Sequence, residues 1–182
     1  VGYSQATVTV VKTAEPPLGE QSFNFKGEHS SNVLTVNAGR VGIAAWDGGA
    51  TTIATLKIGY NESVIFDATV FSGDAVTLGA VDMSGGTLIA QTNITTLTMT
   101  NGNATQLDGA IATAVILGGS LSYQTDSTLT NLTIGSAGVF SAREDLRSRT
   151  VTNISMHAGA AFYDPFGTVT ATANLALINP QS

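Results

Sequence analysis

Asp108 and Asp126 each stand nine residues beyond the last of three apolar positions that recur along the chain, counted from Met99 and Leu117. If the chain coils with one recurrence per turn, the two carboxylates lie on neighbouring turns, roughly 4.8 Å apart. A retaining glycosidase holds its acid and its nucleophile at a similar distance, roughly 5 to 5.5 Å. A bound cation is a second use for such a pair. The third reading is local. Asp108 precedes Gly109 and Asp126 precedes Ser127, and Asp in such dipeptides bonds its own backbone in a turn. The turn reading requires nothing else of the sequence and is adopted, so no catalytic residue is assigned.

Other chemistry is sparse. His29 and His157 are far apart and neither belongs to an HxxxH or HExxH spacing, so no metal site is expected. His157 follows an apolar alternation and reads as a polar turn residue. There is no cysteine, which excludes thiolate ligands and disulfides. GxSxG, Walker-A and GxGxxG sequences are absent as well, so no cofactor is expected. Asn-x-Ser/Thr triplets occur at Asn61, Asn93, Asn103, Asn131 and Asn153. A Thr- and Asn-rich chain generates such triplets by composition, so glycosylation is not assigned. One dense charged stretch remains, "SAREDLRSRT" at 141–150. It reads either as a solvated excursion or as a docking loop in which Arg143, Glu144, Asp145, Arg147 and Arg149 contact a partner, Arg being the residue that offers bidentate donors.

Composition narrows the classes further. Only 11% of the 182 residues are charged, against about 25% in a typical globular domain. A net charge of −6 leaves too little basic surface for nucleic acid. With 43% hydrophobic residues the chain suits one ordered domain, yet no apolar run is long enough to cross a bilayer, so no membrane contact is expected. The opening "VGYSQATVTV" shows no cationic patch before an apolar stretch, so no signal peptide is expected, and trimming of a preceding Met is the favoured origin of Val1. Exposed faces must then be covered by Thr, Ser, Asn, Gln and Gly, groups that cost little to desolvate against another protein.

The elements that position these residues are repeats. "LTNLTIG" at 129–135 has close relatives at "ITTLTMT" and "VTNISMH". Alignment on apolar residues gives six copies: Ile53-Leu56-Ile58, Leu78-Val81-Met83, Ile94-Leu97-Met99, Ala112-Val115-Leu117, Leu129-Leu132-Ile134 and Val151-Ile154-Met156. A degenerate seventh begins at Ser31, with Leu34 and Val36 in the buried slots. Alternation and outward Thr mark a strand with one buried face. Gly39, Gly59, Gly85, Gly102, Gly118, Gly135 and Gly159 follow the copies and predict bends. A unit of this size cannot bury its own face and must stack on its neighbours.

The spacing therefore predicts an all-β parallel β-helix, or β-solenoid, of about six to seven coils over 31–163, roughly 30 Å long. Residues 1–30 form an N-terminal cap or arm, hairpin-like around Pro16-Pro17, and 164–182 form a C-terminal capping strand. An antiparallel β-sandwich is the alternative. An internal column is expected through Val64, Ile89, Thr105, Tyr123, Phe140 and Phe162, and a hydroxyl ladder through Thr95, Thr113, Thr130 and Thr152.

The units "TNLTIGSAGVF" and "TNISMHAGAAF" resemble β-solenoid stretches of bacteriophage virion proteins and of bacterial surface adhesins, over roughly 31–163. The resemblance implies a non-enzymatic structural protein located on a virion, a capsid decoration or cement first and a tail or fibre component second. Its partners would be copies of itself, as a homo-oligomer or multi-copy assembly, and capsid or tail proteins. The alternatives are an adhesion module at the bacterial cell surface and a polysaccharide-processing β-helix enzyme. The resemblance carries no residue roles across.

Overall fold

In a computed structural model the chain is all β and winds into a parallel β-solenoid. The structure describes residues 8–10, 21–25, 29–36, 40–45, 51–59, 63–66 and 76–178. In chain order the strands are β1 (Val8–Val10), β2 (Gln21–Phe25), β3 (His29–Val36), β4 (Arg40–Ala45), β5 (Thr51–Ile58), β6 (Ser63–Phe66), β7 (Val76–Met83) and β8 (Thr87–Gln91). They continue with β9 (Asn93–Met99), β10 (Asn103–Asp108), β11 (Ile111–Tyr123), β12 (Leu129–Ser141), β13 (Arg149–His157), β14 (Ala161–Tyr163) and β15 (Val169–Ile178).

Two ladders result. One runs β1-β3-β5-β7-β9-β11-β12-β13-β15 and the other β2-β4-β6-β8-β10-β11-β12-β14. The long strands β11 and β12 serve both, first half in one ladder and second half in the other. Every pairing among the described residues is parallel, which excludes the sandwich. Six turns carry the chain from β3 to β13. β1 and β2 do not pair with one another as a hairpin; they lie parallel on β3 and β4 and extend the stack. At the other end β15 pairs with β13. Most of the expected N-terminal arm lies outside the described residues.

The middle and last apolar slots of the repeat stack into two buried columns. Leu34, Leu56, Val81, Leu97, Ala114, Leu132 and Ile154 are successive register partners, as are Val36, Ile58, Met83, Met99, Ile116, Ile134 and Met156. All but Met156, which is partly buried, lie in the core. Each large side chain so buried contributes about 1.5 to 3 kcal/mol, and each draws it from the coils above and below.

The fourth copy is phased one residue earlier than Ala112-Val115-Leu117. Ile111, Ala114 and Ile116 are the buried residues, while Leu117 is 49% exposed. Residues 110–117, "AIATAVIL", are apolar at both parities, so alternation does not choose a face. The pairing of Ile111 with Ile94 and of Ile116 with Met99 does, and it buries two isoleucines.

Both expected columns are corrected: the slip removes Thr113 from one, and in the other the inward residues Leu88, Ala104 and Leu121 come five, not six, residues after Met83, Met99 and Ile116. The inward column of the second ladder runs through Leu88, Ala104, Leu121, Phe140 and Phe162, and Val64 is the register partner of Leu88. Ile89 and Thr105 are half-buried and not core residues, and Tyr123 pairs with Gln106. The Phe140 and Phe162 rings stack at 5.1 Å, and Tyr123 meets Phe140 diagonally at 6.0 Å. Thr113 leaves the predicted hydroxyl ladder, since its register partners are Thr96 and Asn131.

The bends also differ in detail. Positive φ falls on Gly86 and Gly119, not on Gly85 and Gly118. Gly119 (φ 82°) and its register partner Gly138 turn β11 and β12 from one ladder into the other. A Cβ on Gly119 would strike the Gly102 carbonyl oxygen, and one on Gly138 that of Ile116. The backbones of adjacent coils touch at this corner.

The phase of the fourth copy is testable by denaturation. Ile116→Ala and Phe140→Ala should each cost about 2 to 5 kcal/mol, whereas Leu117→Ala should cost below about 1. Equal losses at 116 and 117 would contradict the register.

Candidate functional site

The charged loop 142–148 joins β12 to β13, and its arrangement follows from one buried guanidinium. Arg149 opens β13 and is only 2% exposed. It donates to the carbonyls of Tyr123, Asp145 (2.6 Å) and Arg147 (2.7 Å), and the Asp145 carboxylate lies 3.9 Å away. Arg presents five donors in a rigid fork, so one side chain satisfies a backbone oxygen at the end of β11 and two of the loop itself. Tyr123, beneath it, is buried too; burial pushes its phenol up, and its hydroxyl donates to the Ser127 carbonyl at 2.9 Å.

Asp145 holds the loop from the other side. It accepts from the Arg147 backbone N–H at 2.9 Å and pairs with the Arg147 guanidinium at 2.6 Å. The Arg147 hydrogen bond holds this carboxyl below the usual carboxylate range, against partial burial that raises it. Arg147 also reaches the Gln124 carbonyl (2.5 Å) and Asp126 (3.7 Å) on the preceding coil. Arg143 pairs with Glu144 at 2.7 Å with both side chains about half exposed or more, an arrangement worth about 0 to 1 kcal/mol. The five residues expected to meet a partner are therefore not one exposed patch. Arg143, Glu144 and Arg147 face solvent, Asp145 is half-buried, and Arg149 is committed to the interior. Arg143 borders an open groove of about 490 Å³ with Phe162, Tyr163, Asp164 and Pro165.

The two other candidate carboxylates serve local structure. Asp108 accepts from the Gly109 N–H at 2.7 Å, with Gly109 at φ 81°, and its register partner is Gln91. Asp126 engages Arg147. Among the described residues no group of three or more His, Asp or Glu side chains could hold a metal ion. His157 ends β13 opposite Ile178. His29 opens β3.

A feature unread in the sequence lies on the outer face. Asn131, Asn153 and Asn174 are register partners on successive coils. Asn153 Nδ2 donates to Asn131 Oδ1 at 2.9 Å, and Asn174 Nδ2 to Asn153 Oδ1 at 3.0 Å. Asn131 and Asn153 belong to sequons, yet their amides bond one another. The signal was an Asn directly before the middle apolar slot in "TNL", "TNI" and "ANL". The same column continues downward through Thr113, Thr96, Ala80 and Thr55. Of the remaining sequons, Asn93 Oδ1 accepts from the Ala110 N–H, and Asn61 lies outside the described residues.

The buried guanidinium gives a sharp contrast. Arg149→Ala strands several buried carbonyls at about 1 to 3 kcal/mol each, so a loss of roughly 3 kcal/mol or more is expected. Arg143→Ala should stay within about 0.5 kcal/mol. Because the fold lowers the Asp145 pKa, its contribution is complete above the ordinary carboxylate value of 3.8 and is lost as pH falls through the lower folded value. Amide-exchange protection in 142–148, taken relative to the intrinsic exchange rate at each pH, should accordingly fall only in acid below about pH 4; loss of protection between pH 5 and 8 would contradict this.

No protein-family model, curated protein or solved structure matches the chain.

Proposed function

We propose that this protein is a non-enzymatic structural component that works by protein–protein assembly, as a capsid decoration or cement of a virion in the first instance and as a tail or fibre component in the second. The observation that carries the reading is the outer face. Neutral groups in register, Thr55, Thr96, Thr113, Asn131, Asn153 and Asn174, run along the rod. Such a face is held rigid by the coil beneath it and is cheap to desolvate. Exposed Arg143, Glu144 and Arg147, the first of them bordering the groove, supply a charged contact on a charge-poor surface. The assembly would join copies of the chain to one another or to capsid or tail proteins.

An adhesion module at a bacterial surface would use the same rigid face, and imaging separates the two. Immunogold labelling and negative-stain microscopy of the source material should place the protein in many copies on a regular particle. Labelling confined to a cell envelope would replace the virion reading with the adhesive one.

A polysaccharide-processing enzyme is the third reading. The engagement of Asp108 in its turn and of Asp126 with Arg147 argues against it. Replacing both by Asn should leave particle binding unchanged. Release of reducing sugar from a host polysaccharide by the wild type, abolished in the double variant, would overturn the non-enzymatic reading.

A further inference from the structure

Asn101-Gly102 is the one Asn-Gly dipeptide of the chain. It forms the bend between β9 and β10, and Asn101 is exposed. The backbone is pinned on both sides of it. Thr100 N–H donates to the Met83 carbonyl and Asn103 N–H to the Gly86 carbonyl of the preceding coil, each at 2.9 Å. The Gly102 carbonyl accepts from the Ser120 N–H of the following coil at 3.0 Å. Gly102 itself, at φ 94°, donates its N–H to Oδ1 of Asn101 at 2.8 Å. A Cβ on Gly102 would strike the carbonyls of Gly85 and Gly86, so the corner requires glycine here, and no side chain screens the amide nitrogen.

That contact holds a nitrogen beside a carbonyl carbon. Cγ is one bond from Oδ1, and a turn about the Cβ–Cγ bond presents its face to the Gly102 nitrogen. Reacting atoms held about 3 to 3.5 Å apart are the condition for fast intramolecular attack, and here the pinned backbone keeps them near that arrangement. The other asparagines of 76–178 lack it. Asn93 Oδ1 is taken by the Ala110 N–H. The Asn131, Asn153 and Asn174 amides bond one another. Asn103 precedes Ala104, which is buried in the core.

We infer that Asn101 is a site of self-modification, at which the folded chain deamidates through attack by the Gly102 nitrogen. The Gly102 amide gives its proton to a solvent base, and its nitrogen bonds to Cγ. The Cγ–Nδ2 bond breaks, and Nδ2 leaves with a proton as ammonia. Water then opens the five-membered imide at either carbonyl, giving aspartate or isoaspartate. Nothing is oxidised or reduced, and water is the one co-reactant. The product adds a negative charge to a chain of −6. In its isoaspartyl form it also lengthens the main chain at a corner where adjacent backbones touch. The inference does not rest on the assembly proposed above.

Ageing the full chain in mildly alkaline buffer, with ion exchange and peptide mass mapping as readouts, tests it. A species with one further negative charge should accumulate, its mass change confined to the peptide that holds Asn101, with aspartyl and isoaspartyl forms both present. Asn101 should react at least as fast in the folded chain as in the same chain unfolded in urea. The other asparagines of 76–178 should react at least about tenfold more slowly than Asn101 when folded, since a nitrogen displaced by about 1 Å costs on the order of 10²-fold. N101Q sets the amide carbon one methylene further away at an exposed position, and should keep the native circular dichroism while forming no acidic species. A slower reaction of Asn101 in the folded chain than in urea would mean that the corner shields it, and overturns the inference. An acidic species that persists in N101Q overturns it as well.

Discussion

Burial between coils is the interaction on which everything else depends. No described strand has a partner within its own coil; the apolar slots meet only when the next turn lies above them. Leu56 is covered by Leu34 and Val81, Leu97 by Val81 and Ala114, and so on along the rod. Stability is then a sum over neighbours, and the corner glycines are part of the same requirement, since Gly119 and Gly138 let adjacent backbones approach closely enough for the columns to form.

Much of this was legible because the repeat is written in residue types. The middle apolar slot in "TTL", "TNL" and "TNI" announced a strand with one buried face, and its recurrence announced stacking. What stayed hidden has a common physical origin. In 110–117 both parities are apolar, so only the neighbouring coil decides which face turns inward; that choice moved Thr113 out of its expected column and, together with the register shift between Ile116 and Gly118, Tyr123 as well. Arg149 looked like its exposed neighbours because type alone does not reveal that three backbone carbonyls converge on it. The asparagine ladder was masked by a second pattern, the sequon, written in the same letters.

The polar groups divide by task. Buried ones, such as Arg149 and Gln106, tie coil to coil by satisfying carbonyls that the ladders leave open. Outer ones form neutral ladders or pair with each other at the loop. Carboxylates described near turns are likewise occupied: Asp164 is partly desolvated, but hydrogen bonds from the Val169 and Thr168 backbones and the Thr168 hydroxyl hold its pKa below the usual range. Among the described residues the polar groups are thus mostly engaged with one another, and it is on this ground that assembly is proposed.

Interspin distances along one column test the central claim most directly. Val33, Thr113, Asn131, Asn153 and Asn174 lie in one column, with Thr113 four rungs from Val33 and each later residue one rung further. Spin labels on cysteine pairs joining Val33 to each of the four should give distances of about 19, 24, 29 and 34 Å, rising by one inter-strand spacing of about 4.8 Å per rung. A series that fails to rise in equal steps, or that places Asn174 nearer to Val33 than Thr113, would contradict the parallel coil and its register.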